Sequence, residues 1–196
     1  MSTNKQYLYV RPAALIIFAA VLLVFPLQWV CAWLLAAIIH EVGHCIFVII
    51  FGGRVIGACV DIGGIKLHTS TMAGVKSSIC SLAGPLAGII LLFCARQFPR
   101  LALCGIFQSV YNLLPIYPLD GGRILRNCLI CVSEKTQSII EDLITAAVAM
   151  VIIVITITYS LGLLPIGMAI LLACQYLKSK NYLQRLTEQG TIGLPK

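Results

Sequence analysis

Apolar positions follow one another almost without a break from Ala13 to Phe51, and one helix of those 39 residues would be about 58 Å long. The hydrocarbon layer of a bilayer is only about 30 Å thick. The run must therefore fold back on itself, and Phe25-Pro-Leu-Gln-Trp29 is where Pro26 and Gln28 interrupt it. Two spans result, 13–27 and 30–51, and further apolar runs at 77–95, 101–119, 143–159 and 161–177 bring the count to six. Between the second and third spans, VIGACVDIGGIKLHT (55–69) carries short apolar runs on either side of Gly63-Gly64. That dipeptide suits a two-residue turn, so the stretch reads as a β-hairpin-like loop, against the plainer alternative of a solvated loop. Residues 123–132 place Ile124, Leu125, Cys128, Leu129 and Val132 to one side and Arg123, Arg126 and Asn127 to another, the pattern of a helix lying at the membrane surface.

The composition agrees: of 196 residues 60% are hydrophobic and 11% charged, with a mean hydropathy of +0.99, which excludes an ordinary soluble domain. The pattern predicts an all-α polytopic membrane protein, a single membrane-embedded domain over 1–196. The net charge of +7 informs only once it is sorted by position. Lys5, Arg11, Arg54, Lys66, Lys76, Arg123, Arg126, Lys135, Lys178, Lys180, Arg185 and Lys196 fall on one side of a six-span arrangement, and only Arg96 and Arg100 on the other. This bias puts both termini and the 52–76 and 121–142 connections in the cytoplasm. No compact basic surface interleaved with aromatics points to nucleic acid. Lys5 and Arg11 precede an apolar stretch as in a signal peptide, but no small-residue cleavage site follows, so the segment is read as a membrane helix. The nine cysteines lie scattered in apolar runs and form no disulfide framework. Cys128 and Cys131 make a lone C-x-x-C with no second pair, which reads as part of an interfacial helix face.

Ionisable groups inside such a chain need a reason. IIHEVGHCIF (38–47) places His40 and His44 one helical turn apart with Glu41 beside them, so both imidazoles can reach one ion. H-E-x-x-H on a helix is the spacing of zinc proteases, in which the histidines hold the metal and the glutamate serves its water. Two histidines leave such a zinc one protein ligand short. Of the other acidic residues, Asp61, Asp120, Glu134, Glu141, Asp142 and Glu188, Asp120 stands at the end of a span, in YNLLPIYPLDGG (111–122). Pro115 and Pro118 break the helix there and Gly121-Gly122 permits a tight turn. Exposed backbone at membrane depth is tolerated where water has access. His44 lies seven residues from the same end of its own span, about 10 Å, so the depths match. Read alone, Asp120 is a solvated turn residue and Asn112 a packing amide; beside H-E-x-x-H both become site candidates. His68 in the 52–76 loop is an inferior ligand and is read as solvated.

HEVGH, SLAGPLAG (81–88) and NLLPIYPLDGG (112–122), in that order, resemble the site-2 protease family of intramembrane zinc metalloproteases over roughly residues 10 to 185. Within it the chain is most similar to the sporulation branch, which releases membrane-tethered pro-sigma factors. The resemblance implies that His40, His44 and Asp120 bind one Zn2+, that Glu41 is the catalytic acid/base, and that Asn112 holds substrate or its oxyanion. It implies a catalytic core over 30–122, a membrane-tethered pro-sigma or anti-sigma type substrate, membrane regulatory proteins, and a bacterial cell membrane with the site toward the cytoplasm. Sporulation-type relatives carry a nucleotide-sensing domain of the cystathionine-synthase type after the last span, and this sequence stops at Lys196 after a short tail, with no room for a PDZ insertion. Pro118 and the Gly63-Gly64-Ile65 turn are further substrate candidates, the latter because an open strand edge can take an extended peptide as an added strand. Gly84 and Gly88 form G-x-x-x-G, which permits close approach of the active-site helix. Two rival readings remain: a transporter or proton channel with His and Glu as a relay, which needs no tightly bound zinc, and an inactive regulator, which the intact Glu41 opposes.

Overall fold

The computed structural model describes residues 7–10, 12–61, 64–70 and 74–159, with helical residues at 167, 169–170, 172–174, 176–177 and 180–181. It divides into two compact units, residues 1–114 and 115–196.

In the first unit, β1 (Tyr7–Val10) leads into α1 (Pro12–Val24), α2 (Leu27–Ile50), β2 (Val55–Asp61), β3 (Gly64–Thr69), α3 (Gly74–Ile90), a 3-10 turn (Leu91–Cys94) and α4 (Pro99–Asn112). Pro26 stands at the N-cap of α2, where the run was expected to fold back. The helix ends in a Schellman arrangement: the Gly52 N–H donates to the Ile49 carbonyl at 2.9 Å and the Gly53 N–H to that of Val48 at 2.8 Å. Gly52 takes a φ of 80° to do so, which a side chain would resist. α2, α3 and α4 pack on one another in pairs, with Ala36, Leu91 and Cys104 buried together and Ala32, Ile39 and Leu101 around them. The buried Gln108 reaches from α4 to the Trp33 carbonyl at 2.9 Å. Ser109 bridges α4 to α3, its hydroxyl 2.8 Å from the Pro85 carbonyl and 2.7 Å from that of Gly105.

The expected hairpin is present as β2 and β3, antiparallel with Val60 opposite Ile65 and Asp61 opposite Gly64; Gly63 lies outside the described residues. It belongs to a larger sheet. β1 pairs parallel to β2, giving the order β1-β2-β3, so β3 is an edge strand.

In the second unit, α5 (Asp120–Cys128) and α6 (Glu134–Thr158) follow a turn in which Tyr117-Pro118 is cis. Ser133 caps α6, its hydroxyl accepting from the Thr136 N–H. Three of the six expected spans have long apolar helices to match them. Among the described residues three helical segments are long and apolar enough to cross a bilayer, Leu27–Ile50, Gly74–Cys94 and Lys135–Thr158. α1 has 13 residues and α4 has 14, short of the roughly 20 a span needs. The 101–119 run ends as helix at Asn112, because Pro115 and Pro118 cannot continue it while Leu113, Leu114 and Leu119 keep it apolar. The 143–159 run belongs to a helix that starts nine residues earlier, at Glu134. All of 161–166 and parts of 167–177 lie outside the described residues. The outward faces of the long helices carry Ile38, Ile49, Leu143, Val151 and Ile157 exposed, as a hydrocarbon surrounding permits.

Candidate metal centre

α2 carries His40 and His44 on successive turns with Glu41 next to the first, and the structure brings the two imidazoles edge to face, with ring centroids 4.8 Å apart at 84°. Their Nε2 atoms are 3.2 Å apart. His40 is buried; Glu41 and His44 are half-buried. The His44 Nδ1–H donates to the Cys80 carbonyl of α3 at 2.7 Å. That bond fixes the tautomer and leaves the Nε2 lone pair directed at the neighbouring ring.

Two nitrogens each 2.0–2.1 Å from one tetrahedral zinc would stand about 3.3 Å apart. The observed separation fits that donor pair, and a carbonyl on the far ring nitrogen is the usual support of a zinc-bound histidine. The pair is thus already set as two adjacent corners of a tetrahedron.

The room for it comes from α3. A Cβ placed on Gly84 would collide with His44 Nε2 and lie 2.8 Å from His40 Nε2. On the facing helix, a Cβ on Gly43 would be 2.7 Å from the Ala83 carbonyl oxygen. Gly88, one turn beyond Gly84, faces α4, where a Cβ would be 2.8 Å from the Gly105 carbonyl oxygen. The G-x-x-x-G therefore serves two neighbours: Gly84 makes space for the imidazoles and Gly88 for α4.

In the second unit Asp120 opens α5, 5% exposed. A carboxylate in a first helical turn is favoured by the helix dipole, and the Arg123 guanidinium stands 3.7 Å from Oδ1. Gly122 sits against the backbone of the preceding turn, where a Cβ would be 2.6 Å from the Ile116 carbonyl oxygen. Asn112 is the last residue of α4 and half-buried. Pro118 is half-buried in the turn before Asp120, and Gly64 and Ile65 open β3. Three features escaped the sequence: the sheet edge completed by β1, the Cys80 carbonyl, and the role of Gly84 against the histidines. The last had a signal in the small residues of SLAGPLAG, which did not say what they face.

Comparison with known proteins agrees with this layout. The family Peptidase family M50 matches over residues 95–156. Stage IV sporulation protein FB of Bacillus subtilis is 30% identical over 60% of this chain and 46% of its own. Zinc metalloprotease MJ0392 of Methanocaldococcus jannaschii is 29% identical over 48% of this chain and 32% of its own. The chain thus spans less than half the length of either relative. The solved site-2 protease from Methanocaldococcus jannaschii superposes with a TM-score of 0.64 at 19% identity, over 85% of both chains, and so shares the fold. The profile, the relatives and the fold agree in making the chain similar to peptidase family M50, the site-2 protease family.

Proposed function

We propose that the chain is an intramembrane zinc metalloprotease that hydrolyses a peptide bond of a membrane-tethered protein near the cytoplasmic face. The observation that carries the reading is the His40–His44 pair, two Nε2 atoms held 3.2 Å apart in an apolar helix with Glu41 beside them. In this reading His40, His44 and Asp120 hold one zinc ion, two imidazoles and a carboxylate being a donor set that zinc takes. Zinc held there supplies a Lewis acid toward the scissile carbonyl and makes a water molecule acidic enough to lose its proton near neutral pH. Glu41 takes that proton and returns it to the departing amine. The Asn112 amide donates to the developing oxyanion. The Cys80 carbonyl holds the His44 ring in its tautomer throughout.

A membrane-spanning substrate keeps its peptide groups bonded within its own helix, so cleavage requires it to be locally extended. β3, an edge strand among the described residues, offers backbone partners to such a segment beginning at Gly64 and Ile65, and Pro118 stands in the turn before Asp120. Sorted on a six-span arrangement, the basic excess supports both termini on the cytoplasmic side. A pro-sigma or anti-sigma type factor is the substrate class we infer, from the resemblance of HEVGH, SLAGPLAG and NLLPIYPLDGG to the sporulation branch.

The test is cleavage of a synthetic membrane-tethered peptide library by the reconstituted protein and by Glu41→Gln. Cleavage by the native chain alone supports the reading. Equal processing by both, or proton flux without cleavage by either, would contradict it.

A further inference from the structure

The mechanism above leaves unused a charged cluster in the second unit. Glu141, 4% exposed in α6, accepts two hydrogen bonds from Arg126 of α5, Nε to Oε1 and Nη2 to Oε2, each 2.7 Å. Gln137, one turn earlier in α6, adds a third at 3.2 Å. The same guanidinium lies over the Tyr117 ring, 3.7 Å from Cζ to centroid. One arginine thus spends its edge on a buried carboxylate and its face on an aromatic ring, a combination that lysine cannot reproduce.

The location gives the cluster its meaning. α5 has nine residues, too few to hold its own course by helix propensity. Asp120 begins it, Arg126 lies in its last turn, and Tyr117 stands three residues before Asp120. The stack from Tyr117 to Arg126 closes over the Pro118-Leu119 link, while Gly122 seats α5 against the Ile116 carbonyl from within. Glu141 ties this closed turn to α6. We infer that Tyr117, Arg126 and Glu141 are a positioning clamp for the Asp120 carboxylate, so that α6 sets how well Asp120 serves as a ligand. The inference rests on the proposed role of Asp120 in holding zinc. A buried ion pair of this kind is a weak source of stability; orientation of a ligand is a reason to keep it.

The experiment is a chelator competition for zinc on the detergent-purified full chain: native, Asp120→Ala, Arg126→Gln, Arg126→Lys, Glu141→Gln, and the Asp120→Ala/Arg126→Gln double variant. Loss of a residue that orients a metal ligand weakens binding about 10- to 100-fold. The clamp requires at least a tenfold loss in Arg126→Gln and Glu141→Gln, little recovery in Arg126→Lys, and no further loss when Arg126→Gln is added to Asp120→Ala. Native affinity in Arg126→Gln, or a full additional loss in the double variant, overturns the clamp while leaving Asp120 a ligand. Native affinity in Asp120→Ala overturns both. Should Arg126→Gln fail to fold, Tyr117→Leu keeps the ion pair, removes the stack and is held to the same criteria.

Discussion

Replacing Gly84 by alanine adds a single methyl group to α3, and the structure says where it lands. Its Cβ would be 2.8 Å from His40 Nε2 and 2.5 Å from His44 Cε1, where ordinary contact begins near 3.4 Å. The His40 ring must retreat by about 0.6 Å and the His44 ring, whose Nε2 is closer still, by more than about 0.9 Å, or α2 and α3 must part by as much; zinc sites tolerate only about 0.2 Å in a ligand distance. Overpacking of this kind costs about 1–3 kcal/mol, while Gly→Ala within a helix returns about 1 kcal/mol. The unfolding temperature of the metal-free protein should therefore move little, and zinc affinity should fall at least about tenfold, which is 1.4 kcal/mol. Chelator competition gives the affinity and a thermal melt in excess chelator gives the stability. A Gly84→Ala protein that binds zinc as tightly as the native chain would refute the placement of Gly84 against the imidazoles.

Glu41→Gln should retain zinc, because the histidines are untouched, and lose cleavage by about 10²–10⁴-fold, the usual worth of a general acid/base; paired metal analysis and peptide assay check it. Ser109→Ala removes the hydroxyl that joins α4 to the Pro85 carbonyl and should lower stability by about 1 kcal/mol with zinc affinity unchanged, read by thermal melting in detergent. Chelator should abolish cleavage by the native protein, and added Zn2+ but not Mg2+ should restore it, since an imidazole donor set suits the former.

The H-E-x-x-H motif was legible because helical spacing alone puts His40 and His44 on one face. The small residues of SLAGPLAG announced close packing, but only the fold tells that Gly84 meets imidazoles and Gly88 meets α4. The fourth expected span ran too far because hydropathy counts Leu113, Leu114 and Leu119 without noticing that two prolines have ended the helix. The fifth started too late for the opposite reason. Glu141 and Asp142 look like the end of an apolar run, yet Arg126 accompanies one and Lys180, at 2.6 Å, the other, so the helix carries them. β1 left no trace in YLYV, a stretch of four residues whose partner in β2 lies 50 positions away; strand propensity depends on such neighbours. The Tyr117–Arg126–Glu141 cluster was hidden likewise, since its partners come from a turn and two helices.

The most direct test of a zinc site on α2 is elemental analysis of the purified protein. About one zinc per chain is expected in the native protein, lost in His44→Ala. Native protein carrying no more zinc than His44→Ala, after purification without chelator and with zinc supplied, would contradict it.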